Sequence, residues 1–160
     1  KQIVNILRFQ CCNTHDGDDE RDMAYTIQVR SLTLIRGLAA SSRIIQVNLG
    51  TYGAVNAVLF SLQLAVSGLR RHSLDEKKLK DKGKRSKKSK SVLDASHSLK
   101  LLTEAALNTL GALCLACAEN RVLAGTIAEL ETLVYISGCT SLQLNIQQLA
   151  RYTLEILHTA

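Results

Sequence analysis

The chain contains no proline and no tryptophan, and only 4% of its residues are aromatic. Without proline, nothing in the sequence forces a break in a long helix. Without aromatic bulk, a core has to be packed from Leu, Ile, Val and Ala. That composition suits helix on helix and argues against a sandwich or barrel. The five cysteines are an odd number in no secreted-type spacing, so a disulfide framework is not indicated. Most lie in apolar runs, where a free thiol behaves as a small hydrophobe. A reducing compartment is the simpler expectation, the cytoplasm first and the nucleus second. No leader stretch reads as a signal peptide. The longest apolar stretch, residues 54–66, is interrupted by Asn56 and Gln63 and is too short to span a bilayer.

A length of 160 residues with 46% hydrophobic content is enough for one domain with a real core. The formal net charge of +6 does not describe the whole surface. Residues 77–90 hold nine bases (Lys77, Lys78, Lys80, Lys82, Lys84, Arg85, Lys87, Lys88 and Lys90) against one acid, Asp81. The other residues hold eleven bases and thirteen acids, close to neutral. A nucleic-acid-binding face spread over the whole body is therefore not supported.

Hydrophobic spacing predicts helices over residues 3–12, 25–40, 54–69, 96–118, 127–136 and 141–157, with short helices or turns over 43–48 and 121–125. Gly50 and Gly53 break the chain before Ala54, and Ser41 and Ser42 offer caps for the helix beginning at Arg43. Two faces of the helix over 25–40 are apolar: Ile27, Leu34, Ile35 and Leu38 on one, Val29 and Leu32 on the other. Such a helix belongs between neighbours. The stretch from Leu110 to Ala118 has no polar side chain and is expected to be buried all round. Residues 70–94 read as a basic, disordered insertion between two helices.

One unit comes round twice. Leu38-Ala39-Ala40-Ser41-Ser42-Arg43-Ile44-Ile45 is echoed by Leu115-Ala116-Cys117-Ala118-Glu119-Asn120-Arg121-Val122-Leu123. Each stretch closes a long apolar helix and leads, after a glycine, into another. The ends of the last two long helices lie about 40 residues apart, a repeat-protein period. The segment from Leu113 through Glu119-Asn120-Arg121 to Val134 resembles the junction between consecutive armadillo repeats, and Arg43 through Gly53 to Leu59 resembles it again.

The resemblance covers nearly the whole chain, as about two full repeats with partial repeats at both ends, cut from a longer array. The two-helix HEAT repeat is the runner-up. The family resemblance implies an all-α, right-handed solenoid over residues 1–160, whose third helices line a concave groove for extended or helical segments of partner proteins. The Trp and Asn ladder of nuclear import receptors with this fold is missing: there is no Trp, and the Asn places fall near Ala112 and Gly37.

The expected function is a protein-interaction scaffold without catalysis or cofactor. Groove candidates are Arg30, Arg36, Lys100, Asn108, Gln143 and Gln147, which suit a polar or acidic peptide. Two alternatives stand beside it. One is a regulatory or autoinhibitory array inside a larger enzyme. The other is an electrostatic tether to nucleic acid or acidic membrane through residues 77–90.

Chemistry-bearing motifs have plainer readings. Asp16-Gly17-Asp18-Asp19-Glu20-Arg21-Asp22 lacks the alternation and glycine placement of a calcium loop. Cys114 and Cys117 form a Cys-x-x-Cys pair, with Cys11, Cys12 and His15 as further zinc ligands only on paper, because the pair lies in the most apolar helix. His15, His72, His97 and His158 accompany no recognisable nucleophile. The acidic stretch and the basic insertion are each expected between a second and a third helix, on one edge of the array.

Overall fold

The computed structural model describes residues 2–12, 18–81, 89–125, 127–140 and 142–159. It is built from helices α1 (Gln2–Cys12), α2 (Asp18–Ser41), α3 (Arg43–Thr51), α4 (Ala54–Asp81), α5 (Ser89–Cys114), α6 (Ala118–Ala124), α7 (Ile127–Gly138) and α8 (Leu144–His158). No strand occurs among the described residues. The all-α expectation holds.

Four boundaries move furthest, each for a physical reason. α2 begins at Asp18, well before Tyr25, because Asp18, Asp19 and Glu20 occupy a helix's first turn, where negative charge opposes the dipole. The expected insertion over 70–94 is corrected on both flanks: α4 runs on to Asp81 and α5 begins at Ser89. Lys, Leu, Glu and Arg are good helix formers, and Lys77, Lys78 and Lys80 stand in the last turns of α4, where a cation suits the helix end. Lys82, Lys84, Arg85, Lys87 and Lys88 lie outside the described residues. Finally, α5 stops at Cys114, short of Ala118. Ala116 takes a left-handed φ of 54°, and extended Cys117 precedes α6. Leu115 and Ala116 are consequently exposed, not buried.

Helices three apart in chain order pack on one another: α1 on α4, α2 on α5, α3 on α6, α4 on α7 and α5 on α8. Among the described residues, neither α1 nor α2 packs substantially on α7 or α8, so the two ends of the chain do not close on each other. α5 is the central element, held by α2, α4 and α8. Leu99, Leu102, Ala106, Leu107, Leu110 and Leu113 are all buried on it. Val55, Val58, Leu59, Leu62 and Val66, at helical spacing along α4, are buried, as are Leu142, Ile146, Ala150, Ile156 and Leu157. Leu34, on an apolar face by its spacing, is 51% exposed, and Val134 is 58% exposed.

A buried polar knot ties α3, α5 and α6 together. A helix C-terminus leaves carbonyls without helical partners. At the end of α5, the Gln46 amide Nε2 donates to the oxygens of Ala112 (2.8 Å), Leu113 (3.1 Å) and Leu115 (2.7 Å). The Asn120 amide Nδ2 donates to Leu113 O at 2.7 Å and to Gln46 O at 3.1 Å. Gly50 is required beside it, since a Cβ there would collide with Asn120 Oδ1. Gly53, at φ 79°, makes the turn from α3 into α4.

Candidate functional site

With both flanks and the back of α5 covered, one strip of it remains open, bordered by exposed His97 and half-buried Glu104: Leu101, Ala105, Asn108 and Ala112, continued by Leu115 just past the helix end. Their spacing of alternating four and three residues keeps them on one side of the helix. Leu101 and Leu115 are exposed, and the three between are half-buried. The neighbouring helices carry strips of the same spacing. On α2 it is Thr26, Arg30, Thr33 and Gly37, and on α8 it is Leu144, Gln148, Arg151 and Glu155, all exposed. Tyr152 stands beside the α8 strip, 51% exposed.

Polar groups in this surface are largely turned back on their own backbone. Thr26 Oγ1 donates to Asp22 O at 2.9 Å and Thr33 Oγ1 to Val29 O at 2.8 Å. Asn108 Nδ2 donates to Glu104 O at 3.0 Å. Arg151 Nη2 reaches Ser137 O at 3.2 Å, near the C-terminus of α7. What faces outward along the middle is thus small or apolar: threonine methyls, Gly37, Ala105, Ala112, Leu101 and Leu144. Such a surface offers close approach and shape, with charge on its exposed members Arg30, Arg151 and Glu155.

The sequence candidates divide accordingly. Arg30 and Asn108 fall on the strips, and half-buried Lys100 borders that of α5. Arg36 is exposed but lies roughly 120° round α2 from Arg30. Gln143 is the exposed residue preceding α8 and makes no capping bond. Gln147 donates to Leu142 O at 2.9 Å, steadying the entry to α8. Leu101, Leu144 and Tyr152 are absent from the sequence candidates because only polar side chains were taken for the groove. Only the packing of α5 between two neighbours separates its open strip from its buried faces.

Elsewhere the described residues offer little chemistry. No group of three or more His, Cys, Asp or Glu converges to hold a metal. Cys114 is buried, and burial pushes its thiol up to about 12, the opposite of nucleophile activation. Cys117 is buried too, with Sγ 3.4 Å from Glu119 Oε2. The Glu119 carboxyl sits below its ordinary range through its own backbone N–H first and the Cys117 thiol second, with Arg43 and Arg121 adding attraction. Arg43 Nη2 pairs with Glu119 Oε2 at 3.2 Å across α3 and α6, an exposed bridge. Arg70 lies 3.8 Å over the Tyr135 ring, joining α4 to α7.

A recess of about 530 Å³ at the α3–α4 corner is lined by Asn5, Thr51, Tyr52, Asn56 and Leu123 among others, with no Asp, Glu, His, Cys, Lys or Arg among its lining residues. Asp22 Oδ1 of α2 accepts from Ser98 Oγ of α5 at 3.3 Å. No described helix alone is long and apolar enough to cross a membrane. The pair Arg43–Thr51 and Ala54–Arg71 passes by composition only, bent by 69°. Among protein-family models, curated proteins and solved structures, none matches this chain.

Proposed function

We propose that the chain is an armadillo-like helical solenoid that acts as a protein-interaction scaffold, and that the strips of α2, α5 and α8 are its binding surface. The observation that carries this reading is the packing of each helix on the one three places further along, while the ends stay apart. In this reading α2, α5 and α8 are successive third helices, and α3 and α6 successive first helices. Helices in such a stack are spaced by about 8–10 Å. A segment in the polyproline II conformation rises about 3.1 Å per residue with three residues per turn, so every third side chain points the same way and meets a new helix. Leu101 and Leu144 then select apolar side chains three apart, and the small residues between them admit the segment's backbone. The import-receptor mode, with paired Asn amides holding the peptide backbone, finds no support in Ala112 and Gly37.

The test is selection of binders from a randomised peptide library, followed by mapping of amide chemical shifts on the labelled protein. The expected outcome is perturbation along α2, α5 and α8, with affinity lost in Leu101→Asp and Leu144→Asp and kept in Phe60→Ala on α4. Perturbation confined to the α3–α4 recess would overturn it. Binding that survives both variants but disappears when residues 77–90 lose their charge would favour the electrostatic tether instead.

A further inference from the structure

The open strips of α2, α5 and α8 share a register, and that register sets two arginines in one row. Ser98 Oγ donates to Asp22 Oδ1 and Thr109 Oγ1 to Leu32 O, so α2 and α5 run the same way, with residues 76 or 77 apart side by side. On that count Arg30 stands level with Ala106 or Leu107, next to Asn108. On the other flank of α5, a Cβ on Gly111 would lie 3.8 Å from Ile156 Cδ1. With α8 running parallel to α5, as the layers require, counting back from Ile156 brings Arg151 level with Ala106. Arg30, Asn108 and Arg151 therefore cross the three helices as a row.

The charges of this row have no counter-ion in the chain. Among the described residues Arg30 makes no ion pair, and Arg151 reaches only the uncharged Ser137 O. The acids of the surface stand off the row. Glu104 lies one turn N-terminal of Asn108 and Glu155 one turn C-terminal of Arg151, each about 6 Å along its helix, and neither bridges to an arginine. Seven residues N-terminal of Asn108 and of Arg151 stand Leu101 and Leu144, about 10 Å away. An apolar row thus runs beside the cationic one.

A polyproline II segment presents three ridges, and residues three apart share a ridge. When one ridge meets Leu101 and Leu144, a neighbouring ridge lies over Arg30, Asn108 and Arg151. The two arginines are two helices apart, about 16–20 Å. Six residues of such a segment span about 19 Å. We infer, on the interaction reading proposed above, that the partner segment carries two carboxylate side chains six residues apart, received by Arg30 and Arg151. The partner is then an acidic stretch with apolar residues three apart. Both arginines are exposed, so they fix which segment binds and in what register more than they tighten its binding.

Fluorescence anisotropy with labelled peptides from the library selection tests this. Selected sequences are expected to carry Asp or Glu at two positions six apart. Exchange of either acid for its amide should weaken binding about threefold at low salt. Arg30→Glu should weaken the same peptide about tenfold, and a peptide with Lys in the matching place should recover the loss. Arg151→Glu should do the same at the other position. Should that variant lose helical signal along with its Ser137 contact, Lys for the acid on the peptide reads the same pair in the parent protein. A duplex oligonucleotide that displaces the peptide as well as unlabelled peptide does would show bare attraction of charge and overturn the inference. So would binders that map to the strips without acids six apart, or with affinity indifferent to Arg30→Glu, and in both cases the interaction reading stands. Binders that leave amide shifts along the strips unperturbed overturn that reading, and the inference with it.

Discussion

Asn120 Nδ2 donates to the main-chain oxygen of Gln46 at 3.1 Å, while the Gln46 side chain caps the end of α5. Each residue is buried, Asn120 to 1% exposure. Neither amide could sit there unpaired, because a buried polar group without a partner costs about 1–3 kcal/mol. The pair therefore works as a register key: α3 and α6 fit only where both amides meet carbonyls at the end of α5.

Asn120→Ala should destabilise by about 1–3 kcal/mol, through loss of its two buried bonds to Leu113 O and Gln46 O. Gly50→Ala should destabilise on its own, because its Cβ runs into Asn120 Oδ1. In an Asn120→Ala background that collision is gone, so the second substitution should cost much less than it does in the parent. Urea unfolding of the four proteins gives the coupling. Strict additivity would mean that α3 and α6 do not meet as described.

A second prediction concerns the end of α5. Ala116 holds φ 54° at an exposed position just past the helix, a place glycine fills without steric cost. Left-handed backbone costs an L-residue about 1–2 kcal/mol. Ala116→Gly should therefore stabilise by about 0.5–1 kcal/mol, less than the full strain because glycine adds entropy to the unfolded chain. Thermal denaturation checks it, and a loss of stability would place the strain elsewhere.

A third prediction separates core from surface. Leu113 and Leu133 are fully buried, and replacement by Ala should cost about 2–5 kcal/mol each through lost burial and residual cavity. Phe60, 47% exposed on α4, should tolerate Ala far better despite its larger side chain. Equal costs at the two kinds of position would contradict the burial pattern.

These contrasts show what the sequence could disclose. Helical period alone found most elements, and with them the helices that carry the deep positions Leu62, Leu113, Leu133 and Ile146. It could not order the faces of α5, whose apolar residues point in every direction. Leu101 and Leu107 look alike as letters, yet one is open and the other is covered. Leu34 stands on an apolar face by its spacing yet is 51% exposed, and Val134 is 58% exposed, because helical spacing does not say which apolar faces a neighbour covers. The basic stretch was read as a break because charge suggested solvent, although Lys and Leu keep helical propensity through Asp81. Gln46 and Asn120 gave no signal, since a polar residue in a short helix reads as surface until the α5 terminus arrives above it.

The fourth prediction is a pH dependence carried by Cys114. An ordinary cysteine loses its proton near pH 8.5 or thereabouts. Burial holds that of Cys114 to about 12, with the neighbouring Cys117 raising it further and Arg121 pulling the other way. Below pH 8 both folded and unfolded chains keep the proton, and the group's contribution is fully present. As pH rises through the unfolded value, the unfolded chain releases a proton that the folded chain retains. Stability then falls with pH, by about 1.4 kcal/mol per pH unit from this group until the folded value is reached. Cys114→Ala should flatten the decline between pH 9 and 11 relative to the parent, after allowance for its constant packing loss. The same burial predicts slow alkylation: in a chain with Cys11→Ser and Cys12→Ser, half-buried Cys139 should react with iodoacetamide while Cys114 waits for unfolding. Parallel slopes in the two proteins, or rapid labelling of Cys114 in the native state, would show that the end of α5 is open to water.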